Sequence, residues 1–164
     1  MHLISLAAEF KIDVIAFMSE KPSNPSEAVT SVWTSIMRAR ERLLAAIEAD
    51  LKTAGMPPLA WYDVLWELAR SRDGKLRPYE IEERTLLAQY NLSRLLDRLE
   101  KEGLVRREVF AKDGRGRWVV ITDAGRKLRE RMWIVYARSI ETHIGCKLAE
   151  SDAKAIAGLL DRFL

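Results

Sequence analysis

Apolar side chains recur along this chain at two rhythms, three to four residues and two residues, and the changes of rhythm mark its elements. Val29, Val32, Trp33, Ile36, Met37, Leu43, Leu44, Ile47 and Leu51 follow helical steps until Gly55, Pro57 and Pro58 stop them. The spacing predicts one long amphipathic helix over about 26–54, with Ser26 as its N-cap after the break KPSNPS. A second helix is expected from about 59 to 72, closed by Asp73-Gly74, and the stretch 75–77 reads as a small strand. Pro78 suits a first helical turn, where its missing N–H costs nothing, so PYEIEER opens a short helix with a turn at about 85–87. In YNLSRLLDRLEKEG the residues Leu92, Leu95, Leu96 and Leu99 share one face, predicting a helix over about 88–102 that Gly103 ends. The period then drops to two. LVRREVF and RWVVIT alternate around KDGRG, whose Asp113-Gly114 tolerates the positive φ of a tight hairpin turn. Thr122 or Asp123 can cap another long helix carrying Leu128, Met132, Val135, Tyr136, Ile140 and Ile144, and a last helix starts near Ser151 with Ile156, Leu159, Leu160 and Phe163.

A short helix, a turn, a leucine-faced helix and a basic hairpin, in that order, predict a winged helix-turn-helix. The fold class is mainly α with a small β-hairpin wing, and the N- and C-terminal helices form a helical dimerisation region. In a helix-turn-helix the second helix enters the major groove with its N-terminal residues toward the base edges. Gln89, Tyr90, Asn91, Ser93 and Arg94 are therefore the candidate readers. Arg94 matches the acceptors of guanine and Gln89 the edge of adenine. Arg98, one turn on, either holds phosphate or pairs with Asp97 or Glu102.

Charge sharpens this reading. The net charge of +3 is modest, but residues 75–131 hold 15 Lys/Arg against 10 Asp/Glu, while the rest holds 12 against 14. Residues 103–131 alone carry 9 basic and 4 acidic groups, so the hairpin and the start of the next helix supply the excess. Phosphate is the natural partner of such a patch. The single cysteine, Cys146, excludes an intramolecular disulfide and suits a reducing, cytoplasmic location. With Glu9, Lys11 and Asp13 interrupting it, the apolar start of the chain reads poorly as a signal peptide, and no apolar run reaches the roughly 20 residues of a membrane span. His2 and His143 are the only histidines, and neither a hydrolytic triad nor a phosphate loop is visible, so no enzyme and no cofactor is expected. His143 and Cys146 are two potential ligands, short of a closed metal site, and are read as packing residues.

RLLDRLEKEGLVRRE followed by DGRGRWVVITDAGRKL resembles the recognition helix and wing of the multiple-antibiotic-resistance regulator (MarR) family. The resemblance extends over all but about the first 25 residues. It implies that Asp113 braces the wing, that Arg115 reaches toward the minor groove or its phosphates, and that Lys112 and Arg117 add phosphate contacts. It also implies a cleft between the dimerisation helices and the DNA reader. Trp33, Trp61, Tyr62, Trp66, Trp133 and Tyr136 fall on the helices that flank such a cleft, where Arg38 or Arg40 would fix an anionic group of a small aromatic effector. The other reading of these rings is that they are core.

The expected organisation is an N-terminal extension over 1–25, in which 3–18 is either a dimer-stabilising helix or a segment preceding a start at Met18, and a MarR-like domain over 26–164. Within that domain the winged helix-turn-helix covers about 59–122, and the dimerisation helices about 26–54 and 122–164. The expected function is a homodimeric repressor on a pseudo-palindromic double-stranded DNA operator, relieved by an aromatic or phenolic effector. The repressor sign comes from the resemblance alone. A rival keeps the winged helix as a protein-assembly module without an operator, supported by the balance of six basic and six acidic groups over 75–102.

Overall fold

The computed structural model describes residues 24–85, 89–109 and 117–164, without the side chains of Gln89 and Tyr90. The expected helix over 3–18 and the hairpin turn at Asp113-Gly114 lie outside the described residues. The chain divides into two compact units, one ending at Arg40 and one beginning at Glu41.

Helix α1 (Glu27–Thr53) runs through the division. In the first unit its start is capped by Ser26, whose Oγ accepts from the Val29 N–H at 3.3 Å. Val29, Val32, Trp33 and Met37 leave this part of the helix exposed.

In the second unit α1 ends at Gly55, which has φ +68°. The Met56 N–H reaches back to the Leu51 carbonyl at 2.8 Å, closing the last turn. Then follow α2 (Leu59–Arg70), β1 (Lys75–Leu76), α3 (Pro78–Arg84), α4 (Gln89–Lys101), β2 (Val105–Val109), β3 (Arg117–Ile121), α5 (Asp123–His143) and α6 (Glu150–Leu160). The fold is mainly helical, as its apolar rhythm predicts. Helices α1 to α4 lie within two residues of their expected bounds, and α5 and α6 begin within two residues of their expected starts.

The three strands form one antiparallel sheet in the order β1-β3-β2. Lys75 pairs with Val120, and Val105 and Val109 pair with Ile121 and Arg117. That register points Val119 and Ile121 into the core and turns Trp118 and Val120 the other way, since successive strand residues face opposite sides. Leu51, Leu65, Leu68, Ile81, Leu99, Val119 and Met132 are wholly buried. Thus the end of α1, three short helices, the sheet and α5 share one core. By contrast, Ile156, Leu159, Leu160 and Phe163 in and beside α6 stay exposed. Among the described residues no helix is long and apolar enough to cross a membrane.

Candidate nucleic-acid interface

Helix α4 is built to be held on one side and offered on the other. Leu92, Leu95, Leu96 and Leu99 are buried, while Asn91, Ser93, Arg94 and Arg98 are exposed. Burying each leucine is worth about 1.5–3 kcal/mol before entropy is subtracted, which fixes the helix by its apolar face. Gln89 and Tyr90 stand in its first turn. At the other end Gly103 takes φ +69°, with its N–H on the Glu100 carbonyl and the Leu104 N–H on that of Leu99, both at 2.9 Å. This paired closure needs the left-handed conformation that glycine adopts without strain, so the leucine pattern stops where the chain must turn into β2.

The helix below is equally fixed. Pro78 opens α3, and Glu80 Oε2 accepts the Arg77 N–H at 2.7 Å. At its end the buried Thr85 hydroxyl donates to the Ile81 carbonyl at 2.8 Å.

Of the wing residues, Arg117 is exposed at the start of β3, whereas Lys112, Asp113 and Arg115 lie outside the described residues. One residue of the wing strands has a role that its sequence context alone did not suggest. Arg107 on β2 places Nη2 2.6 Å from Asp97 and Nη1 2.9 Å from Glu100, and its backbone N–H donates to Glu100 at 3.2 Å. The clamp joins the wing strand to the reading helix and neutralises two carboxylates there. A sequence signal could have found it: Arg107 lies two residues after the buried Val105, on the same face of the strand, next to a helix presenting acids three residues apart. Since Asp97 is taken by Arg107, Arg98 makes no ion pair among the described residues.

Thr122 ties the other end of the wing. Its hydroxyl donates to the Gly103 carbonyl at 2.7 Å and accepts from the Gly125 N–H at 3.1 Å, capping α5. Gly125 lies so close to the Leu104 carbonyl that a Cβ there would overlap it.

The aromatic candidates separate. Tyr62, Trp66, Trp133 and Tyr136 form one cluster with ring centroids 5.2–6.5 Å apart. The Arg129 guanidinium lies over Trp66 at 5.5 Å. Burial pushes the Tyr62 and Tyr136 hydroxyls up from their ordinary range. Trp61 is partly buried against the core, and Trp33 and Arg38 stand exposed in the first unit. Trp66 also borders a cavity of about 190 Å³ whose other walls include Asp63, Glu67 and Arg84. Burial, then the neighbouring Glu48 and Glu67, push the Asp63 carboxyl up to about 6.

Cys146, expected as a packing residue, is exposed, with Sγ 3.8 Å from Glu141. The tight 3-10 turn Gly145–Lys147 carries it away from the core. His143 is engaged elsewhere: Asp50 Oδ2 accepts from Ser139 Oγ at 2.5 Å and lies 2.9 Å from His143 Nε2. These hydrogen bonds hold the Asp50 carboxyl below its ordinary range. Among the described residues no three potential metal ligands come together.

A family model described as the MarR family matches residues 54–116, from the end of α1 into the wing. Among solved structures, the MarR family transcriptional regulator Sco3205 from Streptomyces coelicolor, in complex with DNA, is similar at 25% identity, covering 88% of this chain and 91% of its own, with a TM-score of 0.79. Sco5413 from the same organism, also a MarR family transcriptional regulator, is 27% identical over 84% of this chain and 94% of its own, with a TM-score of 0.71. In fold alone the chain also resembles BpsR from Bordetella bronchiseptica, whose DNA binding is regulated by 6-hydroxynicotinic acid, at 22% identity, 81% and 98% coverage and a TM-score of 0.72. A search of curated protein sequences finds no match. The leucine-held helix, the wing sheet and the matched segment give this chain the winged helix-turn-helix fold of the MarR family transcriptional regulators that it resembles.

Proposed function

We propose that the protein is a homodimeric repressor that binds a pseudo-palindromic operator through α4 and the wing, and releases it when a small aromatic or phenolic effector binds. The observation that carries this reading is the division of α4 into a buried leucine face and an exposed face bearing Asn91, Ser93, Arg94 and Arg98. Side chains so presented can meet base edges, with Arg94 suited to guanine. Lys112, Arg115 and Arg117 supply phosphate contacts from the wing, and Asp113 braces it. Two copies would place their reading helices in successive major grooves about 34–36 Å apart. The exposed apolar residues of α6 favour a partner copy, because a surface of that kind is costly in water.

For the effector, support comes from the cluster of Tyr62, Trp66, Trp133 and Tyr136, with Trp61 beside it in sequence, and from the regulation of BpsR by 6-hydroxynicotinic acid.

Titration of labelled genomic fragments at several salt concentrations tests the DNA reading. The expected result is a preferred inverted-repeat fragment, an affinity that falls steeply with salt, and an Arg94→Ala variant that loses about 1–3 kcal/mol of discrimination at one base pair per half-site. Binding without sequence preference in the wild type would refute it.

A further inference from the structure

At the edge of the sheet occupied by β1, away from β2 and its clamp on α4, the chain forms a concavity of about 380 Å³. Four cations line it, Arg70 and Arg72 from the end of α2, Lys75 on β1 and Arg84 at the end of α3, together with two carboxylates, Asp73 and Glu80. Trp118 forms part of the floor, with Lys75 and Arg77 stacked on its ring at 5.5 and 5.3 Å.

The acids do not neutralise this surface. Glu80 is engaged as the acceptor for the Arg77 N–H. Asp73 lies 3.9 Å from Lys75 with most of its side chain in water, and Arg70 meets Glu67 at 3.4 Å while 61% exposed. Exposed pairs of this kind are worth little and yield readily to another anion. Arg72 and Arg84, both exposed, make no ion pair among the described residues. The two cations on Trp118 keep their charged heads in a fixed place, since a cation over an indole face loses mobility but not charge.

We infer that this concavity is a second phosphate-binding surface that takes the DNA backbone, separate from the base-reading face of α4 and from the wing. This rests on the DNA reading above. The partner is a backbone and not a base, because the groups are cations on an open surface, with no element that could enter a groove. Contacts of that kind add affinity to all sequences alike and carry no sequence information of their own.

The test uses the full chain with an Arg72→Ala/Arg84→Ala double variant, two exposed side chains whose removal orphans no ion-pair partner. Binding is measured between 50 and 200 mM salt on the preferred duplex and on a scrambled duplex of equal length. The slope of log affinity on log salt should become shallower by about 0.9 for each phosphate that the variant no longer neutralises. If the two arginines of a protomer neutralise one phosphate each, the wild type's advantage over the variant should shrink about tenfold per bound protomer across that range. The ratio of preferred to scrambled affinity should stay constant, and an Arg72→Lys/Arg84→Lys variant should keep the wild-type slope. A variant that melts like the wild type but leaves the slope unchanged would overturn the inference, as would a changed preference at constant slope. If the wild type itself shows no duplex binding, it is the DNA reading that has failed and not this surface alone.

Discussion

Replacing Asp63 by Asn should stabilise the protein at neutral pH and do so less and less as the solution is acidified. Asp63 lies on α2, and burial together with Glu48 and Glu67 pushes its carboxyl from an ordinary value of 3.8 up to about 6. The folded chain therefore holds a proton that the unfolded chain gives up, and ionised Asp63 opposes folding. Its penalty is absent below about pH 4, grows as the pH rises toward 6, and is complete above that. Two units at 1.36 kcal/mol each set an upper limit of about 3 kcal/mol. Because the carboxylate keeps part of its surface in water, screening brings this to about 1–2 kcal/mol. Asn keeps the shape and removes the charge. Urea unfolding of wild type and Asp63→Asn at pH 4.5 and 7.5 would measure it: the variant's advantage at pH 7.5 should exceed that at pH 4.5 by most of this amount. An advantage that does not change with pH, or a variant that is the weaker protein at pH 7.5, would show that Asp63 is not held uncomfortably between its neighbours.

Other substitutions test the joints of the reading head. Arg107→Ala should cost about 1 kcal/mol of stability, as its partners Asp97 and Glu100 are partly exposed. It should weaken DNA binding more than that cost explains, by leaving two bare carboxylates on the reading helix. Chemical denaturation and duplex titration on the same sample compare the two effects. Gly125→Ala should lower stability by about 1–3 kcal/mol or more, because its new methyl meets the Leu104 carbonyl and a backbone atom cannot swing aside. Thermal melting reads this directly, and a neutral result would mean that the α5 start can shift. Leu160→Asp should convert a dimer into monomers in sedimentation experiments and weaken operator binding, because two linked readers gain from each other's attachment. An unchanged sedimentation coefficient would refute a dimer built on α6.

Local chemistry made much of this fold readable in the chain. The Leu92-Leu95-Leu96-Leu99 spacing specifies which side of α4 is inside, Gly103 where it ends, and Thr122 where α5 begins, because each depends on residues within one turn. Contacts between distant segments were not readable. Asp50 meets Ser139 and His143 some ninety positions later, and nothing in either segment names the other. The aromatic set shows the boundary between the two cases. Tyr62 and Trp66 are four apart and share a helix face, whereas Trp61, one position off, is partly buried outside their ring cluster. Helical geometry alone could have separated them. Free cysteine is usually packed, which points Cys146 inward, but the 3-10 turn after α5 decides otherwise.

The bonds of Thr122 make a fulcrum. Its hydroxyl grips the Gly103 carbonyl at the end of α4 and receives the Gly125 N–H at the start of α5, so two helices hinge on one side chain. With 21 residues α5 is about 31 Å long, and with 13 residues α4 is about 20 Å. If the joint is stiff, the two act as arms of one bell crank. A 2 Å displacement at the far end of α5 then moves the far end of α4 by about 1.3 Å, in the ratio of those lengths. Hydrogen bonds to a base edge tolerate only a few tenths of an ångström. On the dimeric operator-binding reading proposed above, a small rearrangement at the far end of α5 would therefore be enough to release a half-site.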